Sequence, residues 1–123
     1  MINKIDVVFV HTKNFSGTAK WYKDVIGLNT GYGDSHWQEF LMKEGSRFAM
    51  DAVSENVSGP EAQNIIISFG TDNIHEEVKR LVSLGVEFYP SAENTIFDVG
   101  PTLVATFKDP EGNWVQLSQR KMG

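Results

Sequence analysis

The sequence contains no cysteine. Disulfides, thiolate nucleophiles and cysteine-ligated zinc are thereby excluded, and any chemistry falls to histidine, carboxylates, hydroxyls or a bound metal. No apolar run approaches the roughly 18 residues that a membrane helix requires. Met1-Ile2-Asn3-Lys4 leads straight into a strand-like segment, without the charged and apolar regions of a secretory signal. The expectation is a soluble, cytoplasmic protein with no membrane partner. Basic residues are few and scattered: 11 Lys and Arg stand against 16 Asp and Glu, a formal charge of −5. Affinity for nucleic acid rests on neutralising phosphates, so no nucleic-acid partner is expected. A glycine-rich phosphate loop, a Gly-x-Ser-x-Gly elbow and a basic-aromatic RNA signature are also missing.

What is present is 123 residues, 41% of them hydrophobic, enough for one domain with a core of ordinary size. The chain reads as the same module written twice. Ile5-Asp6-Val7-Val8-Phe9-Val10-His11 is rich in β-branched and aromatic residues and predicts a strand. Asn14 follows as a helix N-cap, and apolar residues at Phe15, Thr18-Ala19, Tyr22 and Val25-Ile26 give a helical spacing that stops at Gly27. Residues 28–32, 37–42 and 47–53 then predict three strands.

After a polar stretch, 54–63, the order returns. Ile65-Ile66-Ile67-Ser68-Phe69 predicts a strand, and Asn73 with Glu76 resembles a capping box. Ile74, Val78, Leu81 and Leu84-Gly85 repeat the helical stripe and its stop, and 86–89, 102–108 and 113–118 predict three further strands. Asn14 and Asn73 are offset by 59 residues but Gly45 and Gly112 by 67, which predicts a longer loop in the second copy, within 90–101. An internal repeat of this kind constrains the fold more than any one segment does. The predicted fold is α+β, with tandem βαβββ modules over about 3–53 and 64–120.

Two motifs carry a specific resemblance. Trp21-Tyr22-Lys23-Asp24-Val25-Ile26-Gly27-Leu28 resembles the signature ending the first helix of the vicinal-oxygen-chelate superfamily, the glyoxalase, bleomycin-resistance and extradiol-dioxygenase group. Phe107-Lys108-Asp109-Pro110-Glu111-Gly112-Asn113 is similar to the hairpin leading into that group's last strand. The hairpin has its own physical logic, because Asp109-Pro110 starts a turn and Gly112 can take the positive φ that closes it. The resemblance spans nearly the whole chain and implies a single domain, 1–123, whose two curved mixed sheets form a cup-like cavity. It also implies a homodimer.

In metal-dependent relatives the resemblance places ligands at four equivalent strand positions, usually His or Glu. Here those positions read Val7, Ala49, Ile66 and Gln116. A divalent ion needs several N or O donors, which alkyl side chains lack. The expectation is therefore no metal at the usual site and no cofactor.

Strand alternation names the side chains that share faces with those positions. Phe9 and His11 go with Val7, Arg47 and Asp51 with Ala49, Trp114 and Ser118 with Gln116, while Trp37 and Glu39 share a face of the intervening strand. The candidate ligand-binding set is Phe9, His11, Trp37, Glu39, Asp51, Trp114 and Gln116. His11 is read either as a general base or as a histidine hydrogen-bonded at the sheet edge. Arg47 and Asp51 either pair with each other or recognise a ligand. Phe9, Trp37 and Trp114 form either an aromatic slot or ordinary core. His36, in a polar turn, and His75, in a first helical turn, read as surface residues.

Three functions stay open. The first is a metal-independent protein that binds small molecules, like the drug-sequestering members of the group. The second is a lyase, isomerase or dioxygenase-type enzyme, either metal-free with His11 as base or metal-dependent through displaced donors such as His11, Glu39 and Asp51. The third is a structural dimer whose cavity its own side chains fill. One scaffold hosts many chemistries, so the fold does not choose among them.

Overall fold

The computed structural model describes residues 1–121. Strand β1 (Ile2–Thr12) is followed by helix α1 (Phe15–Trp21), which continues as a wider π-helical turn over Tyr22–Ile26. Then come β2 (Thr30–Gly33), β3 (Trp37–Phe40), β4 (Phe48–Ala52) and a short 3-10 turn at Gly59–Ala62. The second half carries β5 (Ile65–Thr71), α2 (Ile74–Ser83), β6 (Phe88–Tyr89), β7 (Ile96–Asp98), β8 (Thr102–Lys108) and β9 (Trp114–Arg120). The architecture is the expected α+β one with mixed sheets. Among the described residues no helix is long and apolar enough to cross a membrane.

The chain forms two compact units, one spanning Val7–Ile66 and the other joining Met1–Asp6 to the chain from Ile67 onward. In the first unit the strands lie in the order β2-β3-β4-β1, with β1 and β4 parallel and the other pairs antiparallel. Asn14 caps α1 as predicted, its side-chain oxygen accepting from Gly17 N. The π turn departs from the predicted regular helix: the carbonyl of Tyr22 accepts from Gly27 N and also from Leu28 N. The Tyr22 ring packs on Phe48 and Phe40, with centroids at 5.1 and 5.7 Å. The three strands after it are shorter than predicted, and the register of β2 on β3 slips between Thr30 and Gly33.

In the second unit β5 and β9 run parallel, β8 lies antiparallel to β9, and both β6 and β7 pair with β8. The stretch 90–101, expected as loop, therefore contains a strand. Its reason is hydrogen bonding. β6 pairs only with Thr106 and Phe107, whereas Ile96–Asp98 pair with Leu103–Ala105 and supply partners for backbone groups left over along β8. Asn73 caps α2 through Glu76 N, and Ile74 and Val78 of that helix pack with Phe88, Ala105 and Leu117 in one buried cluster.

The Asp-Pro-Glu-Gly-Asn turn before β9 is closed by its own polar groups. Asp109 Oδ1 accepts from the backbone N–H of Glu111 and Asn113, each at 2.9 Å, and Oδ2 accepts from the Asn113 side chain. Gly112 sits at φ 88°, the positive value the motif requires.

Candidate functional site

The register of the first unit decides which side chains share a face. His11 on β1 lies beside Asp51 on β4, which lies beside Trp37 on β3. One pleat step along, Phe9, Ala49 and Glu39 form a second row. Partners in a ladder project to the same side of a sheet, so five of the seven predicted site residues, Phe9, His11, Trp37, Glu39 and Asp51, occupy one face. Trp114 and Gln116 stand on β9 in the other unit. There Trp114 meets Tyr89 edge to face at 5.2 Å and carries the Lys108 ammonium 4.6 Å from its ring centroid, while Gln116 pairs with Ser68 and Thr106.

On that face the aromatic rings meet edge-on: Phe9 lies 5.5 Å from the His11 ring and 5.3 Å from Trp37. The indole N–H of Trp37 donates to Glu39 Oε2 at 2.9 Å, and Arg47 Nη2 donates to the same oxygen at 2.8 Å. Arg47 thus has Glu39 as a carboxylate partner, an arrangement the sequence reading, which weighed Asp51, did not contain. Glu39 is held by two donors and holds both in turn.

His11 is nearly buried, with 7% of its side chain exposed. Its Nδ1 lies 2.6 Å from the backbone carbonyl oxygen of Gln63. A carbonyl only accepts, so Nδ1 carries the proton, and Nε2 is the nitrogen turned to Asp51 Oδ2 at 3.6 Å. Burial pushes the Asp51 carboxyl above its ordinary value, with the neighbouring carboxylates Glu61 and Asp34 acting in the same direction and the imidazoles of His11 and His36 opposing it. His11 also borders a cleft of 450 Å³ whose walls include Lys13, Val53, Val57, Glu61 and Asn64. The contact to Gln63 was invisible in the sequence because it uses a main-chain atom. His36 and His75 are exposed, as expected.

The four positions that the resemblance assigns to a chelate do not fit a divalent ion. Val7, Ala49 and Ile66 are buried alkyl groups, 5%, 0% and 2% exposed, and Gln116 offers only a neutral amide. Among the described residues, no group of three or more His, Cys, Asp or Glu side chains converges as a metal site would require. The displaced set His11, Glu39 and Asp51 does not form one.

A model of the glyoxalase-like domain matches residues 7–118. No match was found among curated protein sequences. Several solved structures share the fold. One is described as an NAD-dependent benzaldehyde dehydrogenase from Legionella pneumophila, with a TM-score of 0.73, 17% identity and coverage of 94% of this chain and 98% of that one. A methylmalonyl-CoA epimerase variant of Streptomyces coelicolor, in complex with 2-nitronate-propionyl-CoA, gives 0.71 at 14% identity, covering 99% and 100%. A glyoxalase/bleomycin resistance protein/dioxygenase superfamily member from Vibrio splendidus gives 0.63 at 12%, covering 92% and 96%. At these identities the likeness concerns the fold alone.

Proposed function

The chain belongs to the glyoxalase-like domain family, and from that premise we propose that it binds a small molecule without a metal, at the face formed by Phe9, His11, Trp37, Glu39 and Asp51. The observation that carries this reading is the meeting of aromatic rings and carboxylates on one sheet face: Phe9 against Trp37, with Asp51 one row from Phe9. Such a face suits a planar aromatic ligand bearing a positive charge, because half-buried Trp37, backed by the buried Phe9, offers a ring to stack on and a partly buried carboxylate answers the charge. The alkyl groups at the chelate positions argue against a bound ion as the anchor.

Thermal melting against a panel of aromatic cations, neutral aromatics and antibiotics, with and without EDTA, tests the reading. A ligand at about 100 times its Kd stabilises the native state by about 2.7 kcal/mol. The expected result is a saturable, EDTA-insensitive rise in melting temperature for an aromatic cation. A flat panel, or stoichiometric metal in the purified protein, overturns it. The same reading carries a homodimer in the cytoplasm, which light scattering and cell fractionation check.

One observation favours a second reading, a metal-free enzyme of the lyase or isomerase type. With its Nδ1–H held by the Gln63 carbonyl as the orienting acceptor, His11 has Nε2 as its proton-accepting nitrogen, the tautomer a general base requires. Turnover that disappears in a folded His11→Ala variant would select it.

A further inference from the structure

The second unit contains a cleft of 330 Å³ where the ends of β5 and β9 meet the start of the chain; Lys4, Asp6, Thr71, Asp72 and Arg120 are among the residues that wall it. We propose that this cleft binds the carboxylate group of a small monoanionic acid, gripped by Lys4 and Arg120. The proposal is independent of the function assigned to the first unit.

Gly70 on β5 sets the course of the Lys4 side chain. A Cβ added there would lie 2.8 Å from Lys4 Cε and 3.0 Å from Lys4 Cγ. The lysine stem therefore lies across the bare backbone of β5, in space that any other residue would fill. A long side chain normally keeps its rotamer freedom at a surface, and packing the stem on backbone restricts where the ammonium can go. Lys4 has no ion-pair partner among the described residues.

Arg120 approaches Asp6 Oδ1 through Nε, at 3.5 Å, with its side chain half exposed. That contact leaves the terminal nitrogens of its planar fork as donors, the geometry that matches a carboxylate. Asp6 is 7% exposed and its Oδ2 accepts from the Ser118 hydroxyl at 2.8 Å, while Ser118 accepts from Ser68 at 3.0 Å. This buried chain fixes the floor. Thr71 accepts from Asn73 N and retains its hydroxyl proton for a ligand. The first amide of α2 is already taken by Gln119 Oε1 at 2.7 Å, so the helix end contributes no free donor at Ile74.

Charge sets the ligand class. Lys4 and Arg120 are balanced formally by Asp6 and Asp72. The formal charges of the cleft cancel, so a ligand is held by the placement of the two cationic donors rather than by net charge, and a monoanion meets less repulsion from Asp6 and Asp72 than a phosphate dianion does.

The test is an amide NMR titration of the full chain with sodium propionate at constant ionic strength, with chloride and inorganic phosphate as comparisons. Saturable shifts at Gly70, Thr71, Ser118 and Arg120 are expected with propionate only. Gly70→Ala changes no charge but displaces the lysine stem, and should weaken binding at least fivefold; Lys4→Gln should do the same in a background where Gly70 is intact. Equal shifts with chloride, tighter binding of phosphate, or parental affinity in Lys4→Gln would each overturn the proposal. Amide dispersion in the variants shows that they remain folded.

Discussion

His11 and Asp51 face each other at 3.6 Å across the β1–β4 ladder, and the orientation is imposed by a third group, the carbonyl of Gln63, which claims the other ring nitrogen. The pair shares a site in which the carboxylate is already disfavoured by burial. Its consequences for pH follow from the direction of that shift.

A carboxyl whose pKa is raised on folding stabilises the native state fully below its unfolded value and withdraws that stability as pH rises through the folded value. Asp51→Asn removes the effect. Melting curves of parent and variant should therefore diverge in the variant's favour as pH climbs from about 3.8, the unperturbed value, towards neutrality. A pH-independent difference would count against an Asp51 carboxyl raised by partial burial. The same shift predicts that affinity for an aromatic cation falls with acidification at a pH above the ordinary aspartate range, and that Asp51→Asn flattens this dependence.

Trp37 owes its orientation to Glu39, whose single oxygen Oε2 also holds Arg47. Trp37→Ala should weaken an aromatic ligand by about tenfold, the upper range for one stacked ring contact of about 1.5 kcal/mol. Trp37→Phe keeps a ring but loses the anchor to Glu39 and should fall between the two. Calorimetric titration with whichever aromatic cation the melting panel identifies separates these outcomes.

The turn before β9 predicts acid sensitivity of the opposite sign. Asp109 is held below the ordinary carboxylate range, first by the Asn113 side chain and then by backbone N–H groups. Its contribution is present above the unfolded pKa and is lost as pH falls through the lowered folded value. Asp109→Ala should lower the melting temperature at pH 7, with the gap narrowing in strong acid. A gap that stays constant down to the lowest accessible pH would show that the loss is not electrostatic.

Leu117 is fully buried against Ile74, Val78, Phe88 and Ala105. Truncation to Ala should cost about 2–5 kcal/mol in urea unfolding, the range for cavity formation at a core leucine. Leu84, 68% exposed, should change stability by less than about 0.5 kcal/mol when made Ala.

Local rules made much of the fold legible. Asn14 and Asn73 cap the helices, Gly27 and Gly85 follow their ends, and the Asp109–Asn113 turn closes as its sequence requires. Each needs only neighbours a few residues away. Shared faces within a strand were equally legible, Phe9 with His11 and Trp37 with Glu39, because alternation is a property of the backbone, but the register of β3 on β4 decided that Trp37 and Glu39 lie on the face of Asp51. β7 was not, since Ile96–Asp98 became a strand only when β8 needed partners that β6 did not reach. The π turn at Tyr22, set among the rings of Phe40 and Phe48, was likewise outside any periodic pattern.

By itself the sequence determined the repeated order of elements, the caps and turns, and the alkyl residues Val7, Ala49 and Ile66 at three of the four chelate positions, all of which depend on residue type and short spacing. Only the tertiary structure decided which charges meet. It paired Arg47 with Glu39, turned His11 Nε2 to Asp51 by way of Gln63, and laid Lys4 over Gly70. Those contacts join residues on separate elements, and where their side chains meet is fixed by packing and register, which the linear order does not contain.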